Sequence, residues 1–379
     1  MKKYFFLSYL FFIQIFLSAQ QLYNVKFIVL SYNLPDSVKI YIAGNQKNLG
    51  SWDPGRIELN KINDSTWCKT LSFPFNSKIE FKFTKGTWGK EALNDDKTIP
   101  PNKSLTVIKD TVVLTEVKYW EDQSERKFTG KITGTVEYIR KLKGEGLKPR
   151  DIIIWLPPGY SLDTIKHYPV LYMQDGQNII DPRTSATGID WGIDETADSL
   201  IKSGAIHKII IVGIYNTVDR SSEYSKKNTG ELYMRFIIKK LKPLIDRKYR
   251  TLPDAYNTAV GGSSLGGLIS FMLAWEYPEI FSKAICCSPA FDIDNFNFIT
   301  PVKEYNGQKK TIKIFIDIGT IGLEDSLMKG VNEMLLQLKE KGYREGKDLM
   351  FYKDENAMHS EAYWSKQVWR FLEFMFGKK

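Results

Sequence analysis

Cysteine and histidine are both scarce in this 379-residue chain, which contains three of each. The cysteines are Cys68, Cys286 and Cys287, and their spacing matches neither an even disulfide framework nor a zinc site. Cys286 and Cys287 lie in an apolar run and are expected to be buried, while a single disulfide to Cys68 remains open. The cysteine spacing therefore predicts no metal site.

No stretch beyond residue 20 is long and apolar enough to span a bilayer. The first 20 residues differ, because Lys2 and Lys3 precede an apolar segment at 4–17 that ends near Ser18 and Ala19. This order of charged, apolar and small residues is typical of a secretory signal peptide. We expect a signal at 1–20 that is cleaved near Ala19, a secreted or periplasmic protein and no stable membrane insertion.

The chain carries 53 basic and 44 acidic side chains, a formal net charge of +9. The basic residues are mostly interspersed with acidic ones, and a local cluster at 239–242 falls on a predicted helix. Such a cluster is more typical of a solvated face than of a binding patch. Nucleic acid is therefore not a predicted partner.

Residues 21–118 show short runs with period-two alternation, separated by turns rich in Asn, Asp, Gly and Pro. This pattern predicts a small all-β, immunoglobulin-like sandwich. The predicted strands are at 25–30, 38–42, 67–71, 79–83 and 111–114. The polar segment 119–127 lacks a clear period and is interpreted as a linker.

From 128 to 379, apolar strand-like runs alternate with helical segments. Buried strands that alternate with helices indicate an α/β domain whose mainly parallel sheet is covered on both faces. Ligand sites in such sheets lie beyond the carboxyl ends of the strands. The runs that position this edge are at 152–156, 170–173, 209–212, 259–260, 284–287 and 312–316.

The segment 262–266 reads Gly-Ser-Ser-Leu-Gly, directly after the run at 259–260 and before an apolar helical segment. This G-x-S-x-G pattern is typical of a sharp strand-to-helix turn that exposes a nucleophile, here Ser264. The alternative is an ordinary loop rich in Gly and Ser. If Ser264 is the nucleophile, the N–H of Leu265 belongs to the oxyanion hole, together with Gly176 and Gln177 in the turn after the run at 170–173.

His359 is the one histidine that follows Ser264 in the chain. It comes after a predicted strand at 349–352, where a serine hydrolase of this residue order has its catalytic base. The alternative is a surface histidine near a helix cap. His167 and His207 each precede a strand and therefore belong to the opposite edge of the sheet.

The acid that would orient His359 should follow the run at 312–316. Asp317 lies within the strand, whereas Glu324 and Asp325 lie just beyond it. One of the latter two is expected to accept from the ring N–H of His359, and the other to cap the following helix.

The segments 41–45, 49–54, 80–83 and 86–88 resemble starch-binding carbohydrate-binding modules. The resemblance implies that Trp52, Lys82 and Trp88 form one glucan site, in which aromatic faces stack on sugar rings. Phe81 stands where such modules commonly have Tyr. The alternative is a spacer module in which Trp52 packs the sandwich.

Residues 128–379 resemble the esterase D family of α/β-hydrolases. The resemblance rests on the elbow at 262–266 and on motifs at 156–160, 168–178, 191–195, 223–225, 288–291, 317–320 and 359–361. It implies a serine esterase that needs no cofactor. Gln174 replaces a frequent His, and Gly322 stands where many members have the acid. Relatives with a longer spacing place the acid at Glu324, which is our prediction, with Asp325 as the runner-up.

Together these features predict a secreted serine carboxylic-ester hydrolase that removes acetyl or feruloyl groups from a small or polymeric carbohydrate ester. A siderophore trilactone esterase and a glycan-binding protein with an inactive hydrolase domain remain as alternatives. Trp191, Tyr224 and Trp364 either line the pocket or belong to the core.

Overall fold

The computed structural model describes residues 21–97, 100, 102–123, 131–185, 188–226, 228–293 and 296–378. The predicted signal at 1–20 lies outside these residues. In the described part of the chain, no helix is long and apolar enough to cross a membrane.

The N-terminal module is a sandwich of two four-stranded sheets, in the orders β4-β5-β1-β9 and β3-β2-β6-β8, with a separate β10-β7 pair. Its strands are β1 (Leu22–Leu30), β2 (Tyr41–Gly44), β3 (Ile57–Glu58), β4 (Asn60–Asn63), β5 (Thr66–Pro74), β6 (Ser77–Thr84), β7 (Ala92–Leu93), β8 (Lys103–Val107), β9 (Thr111–Glu116) and β10 (Tyr119–Trp120).

The period-two pattern of these strands separates core from surface. In β1, Val25, Phe27 and Val29 are fully buried, whereas the alternate positions are partly or fully exposed. Trp67 of β5 is also buried, so it packs the sandwich. This module has its own apolar core.

The module extends two residues further than the sequence predicts. Tyr119 and Trp120, which were assigned to the linker at 119–127, form β10 and pair with β7. Trp120 is fully buried and its indole N–H donates to the Ser31 hydroxyl at 2.9 Å. The residues that follow Trp120 are polar, so the sequence does not show that Trp120 belongs to the core of the module.

The second unit contains an eight-stranded sheet in the order β11-β12-β14-β13-β15-β16-β19-β20. The sheet is mixed, because β11–β12 and β12–β14 are antiparallel and the other five pairings are parallel. Its strands and the short pair β17–β18 are β11 (Thr135–Leu142), β12 (Arg150–Leu156), β13 (Val170–Gln174), β14 (Ile210–Ile214), β15 (Thr258–Ser263), β16 (Lys283–Cys287), β17 (Asp292–Ile293), β18 (Phe296–Asn297), β19 (Lys313–Ile318) and β20 (Leu349–Lys353).

From β13 onward, one or more described helices separate consecutive strands of the large sheet. The described helices of this unit are α1 (Ile193–Ser203), α2 (Arg220–Glu223), α3 (Asn228–Phe236), α4 (Lys242–Lys248), α5 (Leu265–Glu276), α6 (Ile299–Lys303), α7 (Leu323–Glu340), α8 (Glu361–Trp364) and α9 (Val368–Phe376). A π-helical segment, Ile237–Leu241, joins α3 to α4.

The central sheet buries both of its faces, as its apolar strands predict. Ile152 and Ile154 of β12 belong to one apolar cluster, whereas Ile153 and Trp155 belong to another on the opposite face. Cys286 and Cys287 are divided between the same two clusters. All three cysteines of the chain are free thiols.

Two backbone N–H groups connect the entry of the second unit to the start of α1. Thr133 donates to the fully buried Asp194 at 2.6 Å, and Lys131 donates to Glu195 at 3.2 Å. Burial, followed by the neighbouring Glu195, raises the pKa of Asp194 to about 8. In the unfolded chain an aspartate has a pKa of about 3.9.

We predict that the free energy of unfolding falls as the pH rises from about 4 to about 8, since the native state holds the Asp194 proton more tightly than the unfolded state. Asp194→Asn keeps an acceptor for Thr133 but cannot titrate, so its stability should fall less over this window. Urea unfolding at several pH values measures the difference. Asp198→Asn on the same helix is the control, and an unchanged slope in Asp194→Asn would contradict the prediction.

We further predict that Trp120→Ala destabilises the N-terminal module by about 3–5 kcal/mol, because it removes a buried indole and its hydrogen bond. Tyr119→Ala, on the exposed side of the same strand, should cost far less. Urea unfolding followed by circular dichroism compares the two variants. Equal effects would mean that β10 is not part of the module's core.

Candidate active site

The predicted nucleophile lies at a sharp turn between β15 and α5. Ser264 has φ 58° and ψ −124°, a backbone conformation that residues other than glycine rarely adopt. A Cβ on Gly262 would lie 2.9 Å from the backbone of Gly266, so the turn requires glycine there. The N–H of Ser264 donates to the carbonyl of Cys287 at 2.9 Å, and its carbonyl accepts from Ala290 at 3.2 Å. The surrounding backbone thus holds the serine in place.

His359 lies on the loop between β20 and α8. The N–H groups of Thr320 and Ile321 donate to the carbonyl of Ala357 at 3.2 and 3.1 Å, which brings the loop after β19 beside the histidine loop. As a result, Nδ1 of His359 lies 3.0 Å from Oε1 of Glu324. This is the pairing that the sequence predicts.

Glu324 is fully buried and has several hydrogen-bond partners. The N–H of Gly319 donates to Oε2 at 3.1 Å. Burial alone would raise the pKa of Glu324, but His359 and hydrogen bonds from Ser288 and Gly319 lower it below its usual value. The carboxyl is therefore held as a carboxylate next to the imidazole.

Ser288 and Trp364 support this pair, a role that the sequence does not predict for either residue. The indole N–H of Trp364 donates to the Ser288 hydroxyl at 2.9 Å. The ring of Trp364 also packs edge-on against His359, with centroids 4.9 Å apart. The motif at 288–291 marked this segment without indicating what it contacts.

The two competing carboxylates have other surroundings. Asp325 is exposed on the first turn of α7. Asp317 is buried in β19, where its Oδ1 accepts from the N–H of Ser288 at 3.0 Å. Burial, followed by the charge of Glu324, raises the pKa of Asp317 to about 7. Of the three candidates, Glu324 is the one recorded in contact with His359.

The candidate oxyanion donors are divided between two elements. Leu265 is the first residue of α5, where an N–H has no partner within the helix, and it lines the cleft. Gln177 also lines the cleft, and its side-chain carbonyl accepts from the N–H of Asn216 at 3.1 Å. Gly176 instead packs against β14, where a Cβ would lie 2.3 Å from the carbonyl carbon of Gly213.

Arg220 is a cleft residue that the sequence analysis missed. Its guanidinium binds Asp175 with two contacts, Nε–Oδ1 at 2.8 Å and Nη2–Oδ2 at 2.7 Å. Asp175 has φ 54° and begins the turn at Gly176–Asn178, so it shapes this turn. Arg220 follows β14, so the rule that sites lie beyond strand ends would have found it.

Glu361 lines the cleft close to His359 in the sequence. Its Oε1 accepts from the side-chain amide of Asn178 at 3.1 Å. Burial is the main cause that raises the pKa of Glu361. This contact connects the loop after β13 to the start of α8.

Ser264 and His359 line one cleft with a volume of about 640 Å³, and both units of the chain contribute to it. The side chains of Trp52, Lys82 and Trp88 line it from the N-terminal module. All three sequence-predicted aromatic residues are buried, but Trp364 lines the cleft, whereas Trp191 and Tyr224 do not belong to its described lining.

The predicted glucan-binding residues lie together in the structure. The rings of Trp52 and Trp88 have centroids 6.3 Å apart and are inclined by 41°. Both are half-buried, so Trp52 is not a core residue like Trp67. Lys82 forms an ion pair with the buried Glu91 at 2.8 Å.

Three carboxylates elsewhere have ligand atoms close enough to share a metal ion. They are Asp190, Asp194 and Glu195, the one such group among the described residues. They do not belong to the lining of the cleft. Backbone N–H groups of Gly192, Thr133 and Lys131 already bind them.

Residues 147–374 match the family model "Esterase: Putative esterase", and residues 22–137 match the "Starch binding domain" model. The chain is 25% identical over 248 residues to "Uncharacterized protein YbbA" of Bacillus subtilis, across 60% of this chain and 93% of that protein. It is 31% identical over 144 residues to an "Endo-1,4-beta-xylanase/feruloyl esterase" of Xylanibacter ruminicola, across 34% of this chain and 18% of that protein.

Solved structures share the fold at low sequence identity. A ferulic acid esterase superposes with a TM-score of 0.54 at 20% identity, across 64% of this chain and 98% of that chain. The enterobactin esterase of Shigella flexneri superposes with a TM-score of 0.54 at 13% identity, across 93% of each chain. Since the esterase model matches more than half of the sequence, this protein belongs to that esterase family and is a carboxylic ester hydrolase.

Proposed function

We propose that the protein is a secreted serine esterase that removes acyl groups from carbohydrate, with Ser264, His359 and Glu324 as its catalytic triad. The observation that carries the proposal is the 3.0 Å contact between His359 and the buried Glu324 in the cleft that Ser264 lines. A buried carboxylate on Nδ1 leaves Nε2 of the imidazole as the proton acceptor.

Acylation proceeds in two steps. His359 removes the hydroxyl proton of Ser264 as the oxygen attacks the ester carbonyl carbon, and the carbonyl oxygen becomes an oxyanion beside the N–H groups of Leu265 and Gln177. The intermediate then collapses. The bond to the alcohol oxygen breaks, and His359 returns the proton to the departing alcohol.

Deacylation repeats this chemistry with water. His359 removes a proton from a water molecule that attacks the acyl-enzyme, and the carboxylic acid leaves as the proton returns to Ser264. The net reaction consumes one ester and one water and yields one acid and one alcohol. Throughout both stages Glu324 stabilises the positively charged imidazolium.

The lining of the cleft favours a neutral ester over an anionic one. Among the described lining residues, the lysine and arginine side chains are Lys82 and Arg220, and each is paired with an acid. The described lining contains four acids, namely Asp53, Glu91, Asp175 and Glu361. A catecholate siderophore complex is anionic and would meet no unpaired lysine or arginine in this described lining, whereas a neutral acyl sugar needs no such partner.

Apolar side chains close to the proposed triad suit the acyl group. Ala290, whose N–H binds the carbonyl of Ser264, lines the cleft together with Leu323, Leu327 and Trp364. Such a surface accepts an acetyl or an aromatic acyl group by burial of apolar area.

The charged start, apolar segment and small residues at 1–20 support secretion of the protein, which would bring it to polymeric carbohydrate outside the cell.

We predict that Ser264→Ala lowers kcat/KM for 4-nitrophenyl acetate by at least about 10⁴-fold, because the nucleophile is lost and the triad acts as one unit. Ser263→Ala, one residue earlier, should retain most of the activity. Steady-state hydrolysis of both variants tests the assignment. Activity that survives in Ser264→Ala but not in Ser263→Ala would show that the nucleophile is Ser263 and not Ser264.

We predict that Glu324→Gln lowers kcat by about 10²- to 10⁴-fold, since the amide no longer stabilises the imidazolium or fixes the tautomer of His359. Asp325→Asn, on the exposed side of the same turn, is the matched control and should behave like the wild type. The same assay on methyl ferulate and acetylated xylan extends the comparison. A larger loss of kcat in Asp325→Asn than in Glu324→Gln would contradict the assignment and identify Asp325 as the acid of the triad.

A further inference from the structure

The aromatic pair of the N-terminal module and the proposed nucleophile face the same space. A separate carbohydrate anchor would have its binding residues on a surface apart from the catalytic cleft. Instead, Trp52, Trp88 and Lys82 line the 640 Å³ cleft together with Ser264 and His359. Small-molecule sites have volumes of about 300–1,000 Å³, so the whole cleft has the size of one site.

We infer that the module supplies the sugar-binding wall of the esterase site, and that one neutral oligosaccharide ester occupies both units at once. The inference rests on the proposed function and adds to it the part of the substrate that the module binds. The sugar stacks on Trp52 and Trp88 while its acyl group reaches Ser264.

The chemistry of the module's wall suits a neutral polyol. The tilted rings of Trp52 and Trp88 present flat apolar faces, which bind the C–H faces of sugar rings. Polar groups lie beside them: the ammonium of Lys82 and the carboxylate of Glu91 neutralise each other, and Asn102 also lines the cleft. Hydroxyl groups both donate and accept, so they match such paired groups.

The backbone around Trp52 holds this ring in a fixed position. Ser51 and Trp52 both have positive φ, at 49° and 61°. The N–H of Trp52 donates to the carbonyl of Gly44 at 2.8 Å, which fixes the turn against β2. A strained conformation that is held by the surrounding structure is typical of a ligand-binding position.

The two arrangements differ in a measurable way. If the wall belongs to the catalytic site, an unacylated oligosaccharide blocks the cleft and competes with a small ester. If the module is a separate anchor, the oligosaccharide binds without affecting hydrolysis.

The test measures hydrolysis of 4-nitrophenyl acetate by the full chain in the presence of maltoheptaose and, in a second series, xylohexaose. We expect competitive inhibition by at least one of them, and the two series distinguish an α-glucan from a xylan. Trp52→Ala and Trp88→Ala should raise the inhibition constant about tenfold, in keeping with the loss of one aromatic contact. Trp88→Tyr should restore much of the effect, because it keeps a stacking face.

Trp369→Ala removes an exposed tryptophan that does not line the cleft and is the matched control. The uninhibited rate on 4-nitrophenyl acetate should be unchanged in Trp369→Ala. Circular dichroism of the Trp52 and Trp88 variants separates a loss of sugar binding from a loss of fold. Inhibition by neither sugar, whether or not the sugars bind, would overturn the inference. Both results leave the proposed catalytic serine intact, since Ser264→Ala tests that assignment separately.

Discussion

The backbone of Ser264 is the constraint on which the proposed site depends. Its φ of 58° is costly for a residue with a side chain, by about 1–3 kcal/mol, and persists only where the surrounding structure determines it. The strand β15 ends there and α5 begins, so the hydroxyl lies at the carboxyl edge of the sheet. The strands β19 and β20, which lie further along the parallel part of the sheet, end at the same edge and bring the loops with Glu324 and His359 to it.

A second constraint separates the two buried acids behind the histidine. Glu324 and Asp317 are both buried, yet their pKa values move in opposite directions. Glu324 has His359 as a partner, whereas burial dominates at Asp317. Two acids with different environments can thus have different roles, an ionised partner for His359 and a carboxyl that is more readily protonated.

The features of the site that depend on chain order and local backbone conformation can be predicted from the sequence. The glycines around Ser264, the one histidine after it and the acids beyond a strand are local signals, and the contact between His359 and Glu324 agrees with them. The π-helical segment, the extension of the module to Trp120 and the pairing of Arg220 with Asp175 depend on packing between distant segments. No single-sequence period or motif contains these contacts, although the place of Arg220 after β14 is a signal for its position in the cleft.

The shared cleft also depends on packing between distant segments, because two separately predicted units face each other across it. A tethered module on a remote surface would raise the local concentration of its polymer without orienting the scissile bond. A module that forms a wall of the catalytic cleft contributes instead to orientation, since the sugar and the ester carbonyl are held in one geometry. The half-buried Trp52 and Trp88 in the lining that includes Ser264 therefore assign the module to positioning of the substrate.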